Sequence, residues 1–147
     1  MPITAYRVCR AIHARLDGEG SKLAGGRWNS PGHAVVYLAE SVALAVLENL
    51  VHMSRENFPS GYVVVKVAVP DSLLVLSLDH HWRLGGQQDI GDSWLASLWS
   101  PVLKVPSAVV PGAYNFLLNP EHPDFSRIRV EPPVPFRFDE RLFVLKR

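Results

Sequence analysis

The apolar residues of the chain fall into short runs, and most of these runs have the length and composition of a β-strand. Valine, isoleucine and leucine, which fit the pleated surface of a sheet, dominate the runs. The pattern predicts strands at residues 4–9, 34–39, 61–69, 73–78, 102–105, 108–110, 128–130 and 142–145. Residues 14–32 are instead rich in glycine and polar side chains, which predicts a long loop of the kind that often carries function.

Two segments have the composition of α-helices. Ser41 offers an N-cap oxygen to a helix at residues 42–53, and Asp92 offers one to a shorter helix at residues 93–99. On a helical wheel the first helix has a narrow polar strip and a wide apolar face. The strip contains Ala45, Glu48, Asn49 and His52, and the apolar face contains Val42, Leu44, Val46, Leu47, Leu50, Val51 and Met53. We therefore expect a mostly buried helix whose polar strip faces either water or a cleft.

Strands predominate, and the two predicted helices do not alternate with them in a regular order. This combination predicts an α+β fold in which a few helices pack on a bent, largely antiparallel sheet. The 147 residues, 48% of them hydrophobic, suffice for one domain, and no repeat or Gly/Ser-rich linker divides the chain. We therefore expect residues 1–147 to form a single domain.

Charge and composition disfavour several functional classes. With 15 basic and 14 acidic residues, the net charge of +1 argues against a protein whose main task is to bind nucleic acid. No stretch reaches the roughly 18 apolar residues that a membrane span needs, and the first ten residues lack the order of a signal peptide. The single cysteine, Cys9, allows no intrachain disulfide and favours a reducing compartment. We expect a cytoplasmic protein.

The loop sequence Gly25-Gly26-Arg27-Trp28-Asn29 contains the residue types of a nucleotide-binding loop. Glycine lets the backbone approach a ligand closely, and arginine presents a fork of donors to phosphate oxygens. The flat ring of Trp28 offers a face for stacking. The alternative is a tight turn followed by a surface arginine and a core tryptophan, and the motif by itself does not decide between the two.

Three more side chains are candidates for chemistry. Glu48 is the one carboxylate in the interior of the first predicted helix, so it would serve a cleft on the polar strip, although a solvated glutamate is the simpler interpretation. Tyr37 lies on a short apolar strand, where a tyrosine is usually part of the core and has its hydroxyl hydrogen-bonded. Ser107 interrupts a strand beside a proline, but it lacks the G-x-S-x-G elbow of a hydrolase nucleophile.

The histidines do not have the spacing of a metal site. His80 and His81 are adjacent, so their side chains rarely converge on one ion, and the other histidines are isolated. No cysteine ligands accompany them, and we expect no metal. The glycine fingerprint of a Rossmann dinucleotide site is also absent from the sequence. Asn115 and Asn119 have the residue type of turn formers.

Taken in order, the motifs resemble the RES domain family, which is named for an arginine, a glutamate and a serine. The matching segments are Tyr6-Arg7, Gly26-Arg27-Trp28-Asn29, Gly32, Tyr37-Leu38-Ala39, residues 43–48, Gly91-Asp92-Ser93-Trp94-Leu95, Val105-Pro106-Ser107, residues 115–125 and Phe138-Asp139-Glu140-Arg141-Leu142. They cover nearly the whole chain. Each motif is weak by itself, whereas the ordered set is specific.

The resemblance implies the toxin of a bacterial type II toxin–antitoxin pair whose antitoxin is an Xre-like helix-turn-helix protein. It implies a fold similar to that of ADP-ribosyltransferase toxins. It also implies NAD⁺ as the substrate, consumed by hydrolysis, by phosphorolysis or by ADP-ribosyl transfer. The catalytic residues of the family would be Arg27, Tyr37, Glu48 and Ser107. Further pocket residues would be Arg7, Trp28 and Asn115.

The implied chemistry suits these residue types. Cleavage of the nicotinamide–ribose bond builds positive charge on the ribose, as in glycoside hydrolysis, and a carboxylate such as Glu48 stabilises that charge. Arg27 would hold the pyrophosphate or a ribose. Tyr37 would stack near the nicotinamide, and Ser107 would donate a hydrogen bond.

Several alternatives stay open at this level. The acceptor of the ADP-ribose could be water, phosphate or a protein. An RNA-cleaving toxin that uses His80 or His81 as an acid or base would share the small size, although the near-neutral charge speaks against it. A non-catalytic binding module is a further alternative. The loop at residues 14–32 would be a lid that a protein partner blocks.

Overall fold

The computed structural model describes residues 2–78 and 86–144 of the chain. Strands in this part are β1 (Ile3–Arg10), β2 (Val36–Ala39), β3 (Tyr62–Val69), β4 (Val75–Ser77), β5 (Val102–Pro106), β6 (Tyr114–Leu118), β7 (Arg129–Val130) and β8 (Val134–Phe136). They form one sheet in the order β4-β5-β6-β2-β1-β3-β7, and β8 also pairs with β3. Every pair is antiparallel except β4 with β5. The prediction of an α+β fold with a bent, largely antiparallel sheet is confirmed.

Three α-helices accompany the sheet in the described part of the chain: α1 (Glu19–Ala24), α2 (Val42–Leu50) and α3 (Gln87–Ser97). Short 3₁₀ helices lie at Ala11–His13, Phe125–Arg127 and Glu140–Leu142. Helix α2 begins where the sequence predicts, because the Ser41 hydroxyl accepts a hydrogen bond from the Leu44 N–H at 3.0 Å. It ends at Leu50, three residues before the predicted end at Met53.

The other two helices correct the prediction. Residues 14–32 are not one continuous loop, because α1 forms in their middle and is held to the chain before β2 by Ser21. The Ser21 hydroxyl accepts a hydrogen bond from the Val35 N–H at 3.1 Å. Helix α3 begins at Gln87 rather than at residue 93, so Asp92 lies inside the helix and is not its N-cap. The Asp92 carboxylate instead accepts hydrogen bonds from the N–H and hydroxyl groups of Ser30.

Two strand predictions are wrong. Residues 108–110 form no strand. The Ser107 hydroxyl accepts hydrogen bonds from the N–H groups of Val109 and Val110, and the chain turns there. Residues 142–144 form none either, since the Asp139 carboxylate accepts from the Arg141 N–H and begins a 3₁₀ helix. Residue 145 lies outside the described residues. Conversely, β6 and β8 form where no strand is predicted, and Asn115 is a strand residue rather than a turn former.

The sheet carries apolar clusters on both faces. Alternate residues of a strand point to opposite faces, and on β3 one set is buried in a large cluster with β1, β2 and β6, namely Val63, Val65, Val67 and Val69. Tyr62 and Val64 point the other way, into a cluster beneath α2. A further cluster beneath α3 contains Trp94 and Leu117. The two longer helices thus cover the face opposite the valine layer.

Helix α3 contacts the loop before β2 so closely that one position must be glycine. A Cβ built on Gly91 would lie 1.6 Å from the carbonyl oxygen of Trp28. That distance is far inside any van der Waals contact, and the obstructing atom belongs to the backbone. Gly91 therefore lets the helix axis approach the loop that contains Arg27.

We expect Gly91→Ala to lower the free energy of unfolding by roughly 3 kcal/mol or more, because overpacking against a backbone atom forces the helix or the loop to move. Gly20→Ala is the matched control. Gly20 lies in α1 with nothing within 4 Å of its built Cβ, so alanine should stabilise the protein by about 0.5–1 kcal/mol. Urea unfolding of both variants measures the difference, and equal stabilities would contradict the close contact.

Candidate active site

The sheet is open between β1 and β2. Strand β1 pairs with β3 along all eight of its residues, from Ile3 to Arg10. On its other side only Tyr6 pairs with a residue of β2, Ala39. Beyond that pair the strands separate, and two cavities lie along the split. A smaller cavity of about 190 Å³ lies beside α2, and a larger cavity of about 470 Å³ lies beside α1.

Arg7 lines both cavities, so its side chain lies between them. Its Nη1 atom lies 3.5 Å from the carbonyl oxygen of Tyr37, a weak hydrogen bond to the opposite side of the split. Its Nε atom is buried and has no hydrogen-bond partner among the described residues. A buried donor without a partner costs free energy, and a charged guanidinium donor costs more. The arrangement provides a donor for an anionic ligand in the cleft.

Asn49 ties α2 to the same split. Its Nδ2 atom donates to the carbonyl oxygens of Val8 on β1 and of Ala45 one helical turn earlier, each at 2.8 Å. The helix is thereby fixed over the open part of the sheet. The residue before Asn49 is Glu48, which lines the smaller cavity as well.

The orientation of α2 resolves the prediction for its polar strip. Its most buried residues are Leu44 and Ala45, whereas Leu47 and Val51 of the predicted apolar face are 41% and 58% exposed. The predicted apolar face is therefore wrong at these two positions. Because the sheet beneath α2 is split, the helix turns its strip of Ala45, Glu48 and Asn49 toward the cleft and leaves part of its apolar face outside.

Glu48 and Ser107 are brought together by the fold. The Ser107 hydroxyl donates to Glu48 Oε1 at 3.1 Å. The Ser107 Oγ atom itself accepts hydrogen bonds from the N–H groups of Val109 and Val110, so the turn after β5 holds the hydroxyl in place. The hydroxyl proton is directed to the carboxylate, and Ser107 is set up to orient Glu48 rather than to attack a substrate.

Asn115 completes the wall of the smaller cavity. It lies on β6 directly opposite Ala39 in the register with β2. Its Nδ2 atom donates to the carbonyl oxygen of Leu38 at 3.2 Å. The structure therefore places Arg7, Tyr37, Glu48 and Asn115 around one cavity.

The Tyr37 hydroxyl is engaged in the loop that carries Arg27. It accepts from the Trp28 N–H at 3.0 Å and donates to Asn29 Oδ1 at 2.5 Å. Burial raises the pKa of Tyr37 to about 12, and the charge of Asp92 adds to the increase, while the Trp28 N–H and Arg27 oppose it. The phenol is therefore neutral at physiological pH, and Tyr37 is a lining residue of both cavities.

Asn29 belongs to the predicted loop and motif, but the sequence predicts no role for it, and the structure makes it a structural residue of the site. It is fully buried, and its Nδ2 atom donates to the carbonyl oxygens of Ser21 at 2.9 Å and His33 at 2.8 Å. Gly26 makes room for this network, because a Cβ there would lie 2.7 Å from the Tyr37 hydroxyl. The available signal was the position of Asn29 directly after Gly26-Arg27-Trp28.

Arg27 and Trp28 lie where the alternative interpretation of their loop puts them, an arginine on the surface and a tryptophan in the core. Arg27 is exposed and lines a separate cavity of about 710 Å³ together with His52 from the end of α2 and Gln88 of α3. It therefore does not share a cavity with Glu48, although its charge is close enough to Tyr37, which lines the cleft, to oppose the increase in the pKa of that phenol. Trp28 is 4% exposed and packs in the cluster beneath α3. The predicted stacking role of Trp28 does not fit this position, because its ring is enclosed by the core.

Neither metal ligands nor a membrane helix is found in the part of the chain that the structure describes. No group of three or more His, Cys, Asp or Glu side chains converges there in a way that could hold a metal ion. None of its helices has the length and apolar character to span a bilayer. His80 and His81, the candidates for acid–base chemistry on RNA, lie outside the described residues.

Comparison with known proteins places these features in a family. A model of the RES domain matches residues 4–139. The chain is 38% identical over 148 residues to "Toxin Res" of Yersinia enterocolitica. That alignment covers 93% of this chain and 97% of the relative. It is 37% identical over 138 residues to the "Prs ADP-ribosylating toxin" of Sphingobium sp. strain YBL2, with 86% of each protein covered.

A solved structure has a similar fold. The toxin in the M. tuberculosis MbcT–MbcA toxin–antitoxin complex superposes with a TM-score of 0.70 and 21% identity, over 93% of this chain and 85% of that chain. At that level of identity the likeness shows the fold alone. The predicted relation to the ADP-ribosyltransferase toxin fold is confirmed.

The raised pKa of Tyr37 makes stability depend on alkaline pH. The pKa is about 12 in the folded protein, whereas the phenol of an unfolded chain ionises near its ordinary pKa of about 10. The buried phenol therefore makes its full contribution to the free energy of unfolding below pH 10. This contribution decreases as the pH rises toward 12, by about 1 kcal/mol between pH 10 and 11. The decrease in stability at alkaline pH should therefore disappear in Tyr37→Phe and remain in the control variant Tyr62→Phe. Parallel curves for wild type and Tyr37→Phe in urea unfolding would contradict the burial.

Proposed function

The chain belongs to the RES domain family, and from this premise we propose that it is a toxin of a bacterial type II toxin–antitoxin system that degrades NAD⁺. The reaction cleaves the bond between nicotinamide and ribose, with water or phosphate as the acceptor. The observation that carries the proposal is the pairing of a guanidinium and a carboxylate in one cleft. Arg7 has a buried donor that finds no partner among residues 2–78 and 86–144, and Glu48 lines the same cavity.

The split between β1 and β2 has the chemistry that a dinucleotide requires. Ligand sites commonly occupy about 300–1,000 Å³, and the two cavities on either side of Arg7 together fall in this range. A guanidinium presents paired donors that match the oxygens of a pyrophosphate. Arg7 would therefore bind the pyrophosphate in the middle of the cleft, with one nucleoside on each side.

Glu48 would stabilise the charge that develops during cleavage. When the bond between the ribose C1′ and the nicotinamide nitrogen breaks, the bonding electrons leave with nicotinamide, which departs as a neutral molecule. The positive charge that remains on the ribose is stabilised by a carboxylate held nearby. The acceptor then adds at C1′ and releases its proton. The hydrogen bond from Ser107 fixes the carboxylate orientation before the reaction begins.

The remaining site residues would bind and position the substrate. Tyr37 lines both cavities, and its ring would lie near the nicotinamide, while its hydroxyl stabilises the Arg27 loop. Asn115 would contact the nicotinamide riboside from β6. Arg27, at the edge of the cleft, would reach a phosphate or a ribose hydroxyl from outside.

The partner would be an Xre-like helix-turn-helix antitoxin, and both proteins would act in the cytoplasm. The support is the fold shared with a toxin that was crystallised together with its antitoxin. An antitoxin that covers the split would prevent NAD⁺ from entering. Coexpression of the neighbouring gene product should restore growth.

Glu48→Gln should reduce the release of nicotinamide from NAD⁺ by at least about 100-fold, because the amide keeps the shape of the side chain but cannot balance the cation. Purified wild type and variant are incubated with NAD⁺, with and without phosphate, and free nicotinamide is followed. Glu56→Gln is the matched control, since Glu56 is exposed outside the cleft. A wild type that releases no nicotinamide under either condition would contradict the proposal.

The second candidate function is ADP-ribosylation of a protein. It is favoured by the 37% identity to a relative named as a Prs ADP-ribosylating toxin, and the same cleft and carboxylate would serve it. NAD⁺ labelled in the adenosine half separates the two functions in cell lysate. NAD⁺ degradation leaves the label on small molecules, whereas label on a protein that depends on Glu48 would establish transfer.

A further inference from the structure

We propose that Asp92 is a positioning residue that holds the Arg27 loop, residues 25–31, against helix α3 and so sets the location of the Arg27 guanidinium beside the cleft. This inference rests on the proposed function. It assigns to α3, which contributes no residue to the two cavities of the split, a role in substrate binding through the loop.

The contact between Asp92 and Ser30 uses both carboxylate oxygens. The Ser30 N–H donates to Oδ1 at 3.0 Å, and the Ser30 hydroxyl donates to Oδ2 at 2.5 Å. Hydrogen bonds to an ionised acceptor are the stronger ones in proteins. Aspartate is a poor residue for a helix interior, and Asp92 occupies such a position in α3. Its place there is explained by the loop that it binds.

Gln88 and Gly91 lie on the same face of α3 as Asp92 and also contact the loop. Gln88 donates from Nε2 to the carbonyl oxygens of Gly26 at 3.0 Å and Asn29 at 3.3 Å. Gly91, between Gln88 and Asp92 on this face, allows the helix to touch the Trp28 carbonyl. Positions three and four apart lie on one side of a helix, so one surface of α3 contacts the loop before and after Arg27.

The opposite side of the loop is bound by β2 through the Tyr37 hydroxyl, which contacts Trp28 and Asn29. The loop is thus clamped between the helix and the sheet, and Arg27 projects from it into solvent. No hydrogen bond or ion pair of the Arg27 side chain is found within residues 2–78 and 86–144. The backbone of the loop therefore sets where the guanidinium lies, and Asp92 holds the end of that backbone that follows Arg27.

The test separates the KM for NAD⁺ from kcat in the full-length protein. Asp92→Ala should raise KM about tenfold and change kcat less than about threefold, because binding through Arg27 is lost while Glu48 is untouched. Asp92→Asn and Ser30→Ala, which keep part of the contact, should give smaller increases of the same kind and cover the case in which Asp92→Ala does not fold. Ser93→Ala, at the next and exposed position of α3, is the control and should leave both constants unchanged.

A double-mutant cycle with Arg27 distinguishes positioning from a general structural role. If Asp92 acts through Arg27, Asp92→Ala should not raise KM further in an Arg27→Ala background. If Asp92 had a merely structural role, Asp92→Ala would reduce the fraction of folded protein. The apparent kcat would then decrease in both backgrounds while KM stayed unchanged, and that result would overturn the inference. Additive increases in KM would overturn it as well. A wild type without nicotinamide release would instead overturn the proposed function and, with it, this role.

Discussion

The open split between β1 and β2 is the constraint on which the site depends. Separated strands leave backbone carbonyl groups without ladder partners, and buried groups of this kind must be satisfied by other donors. The described structure supplies them from side chains, since Arg7 reaches the Tyr37 carbonyl and Asn49 the Val8 carbonyl. The split is therefore compatible with a stable sheet, since the other edge of β1 pairs with β3 along its full length.

The same split determines which residues can take part in chemistry. Helix α2 covers the split as well as the apolar cluster beneath it, so Glu48 and Asn49 of its polar strip can face the cleft while Leu44 and Ala45 are buried in the cluster. Glu48 thereby gains Ser107 as a partner and shares a cavity with Arg7. A carboxylate and a guanidinium in one cleft match the two charged features of the proposed reaction, a developing ribose cation and a pyrophosphate.

What the sequence predicted well is local. The valine-rich strand predicted at residues 61–69 and the Ser41 cap of α2 depend on residues next to one another, and both are found. The orientation of α2 was missed at Leu47 and Val51, because a helical wheel assumes that every apolar residue is covered. The local sequence predicts an N-cap at Asp92. Its actual partner, Ser30, lies 62 residues away and is therefore not visible from neighbouring residues.

The site residues came from the ordered resemblance and not from their local patterns. Arg7, Tyr37, Glu48 and Asn115 are far apart in the chain and meet only because β1, β2, β6 and α2 are neighbours in the fold. Trp28 and Asn29 show the limit of such transfer, since adjacent residues of one motif serve the core and a buried hydrogen-bond network. The sequence offers a core role for Trp28 only as one of two interpretations, and the hydrogen bonds of Asn29 depend on the tertiary structure.

A structure of the Glu48→Gln variant with NAD⁺ tests most directly whether the split is the substrate site. The variant should bind the dinucleotide without cleaving it. The account predicts the pyrophosphate within hydrogen-bond distance of Arg7 Nε and the nicotinamide riboside between residue 48 and Asn115. A dinucleotide bound elsewhere, with the split empty and the Arg7 donor still unpartnered, would contradict it.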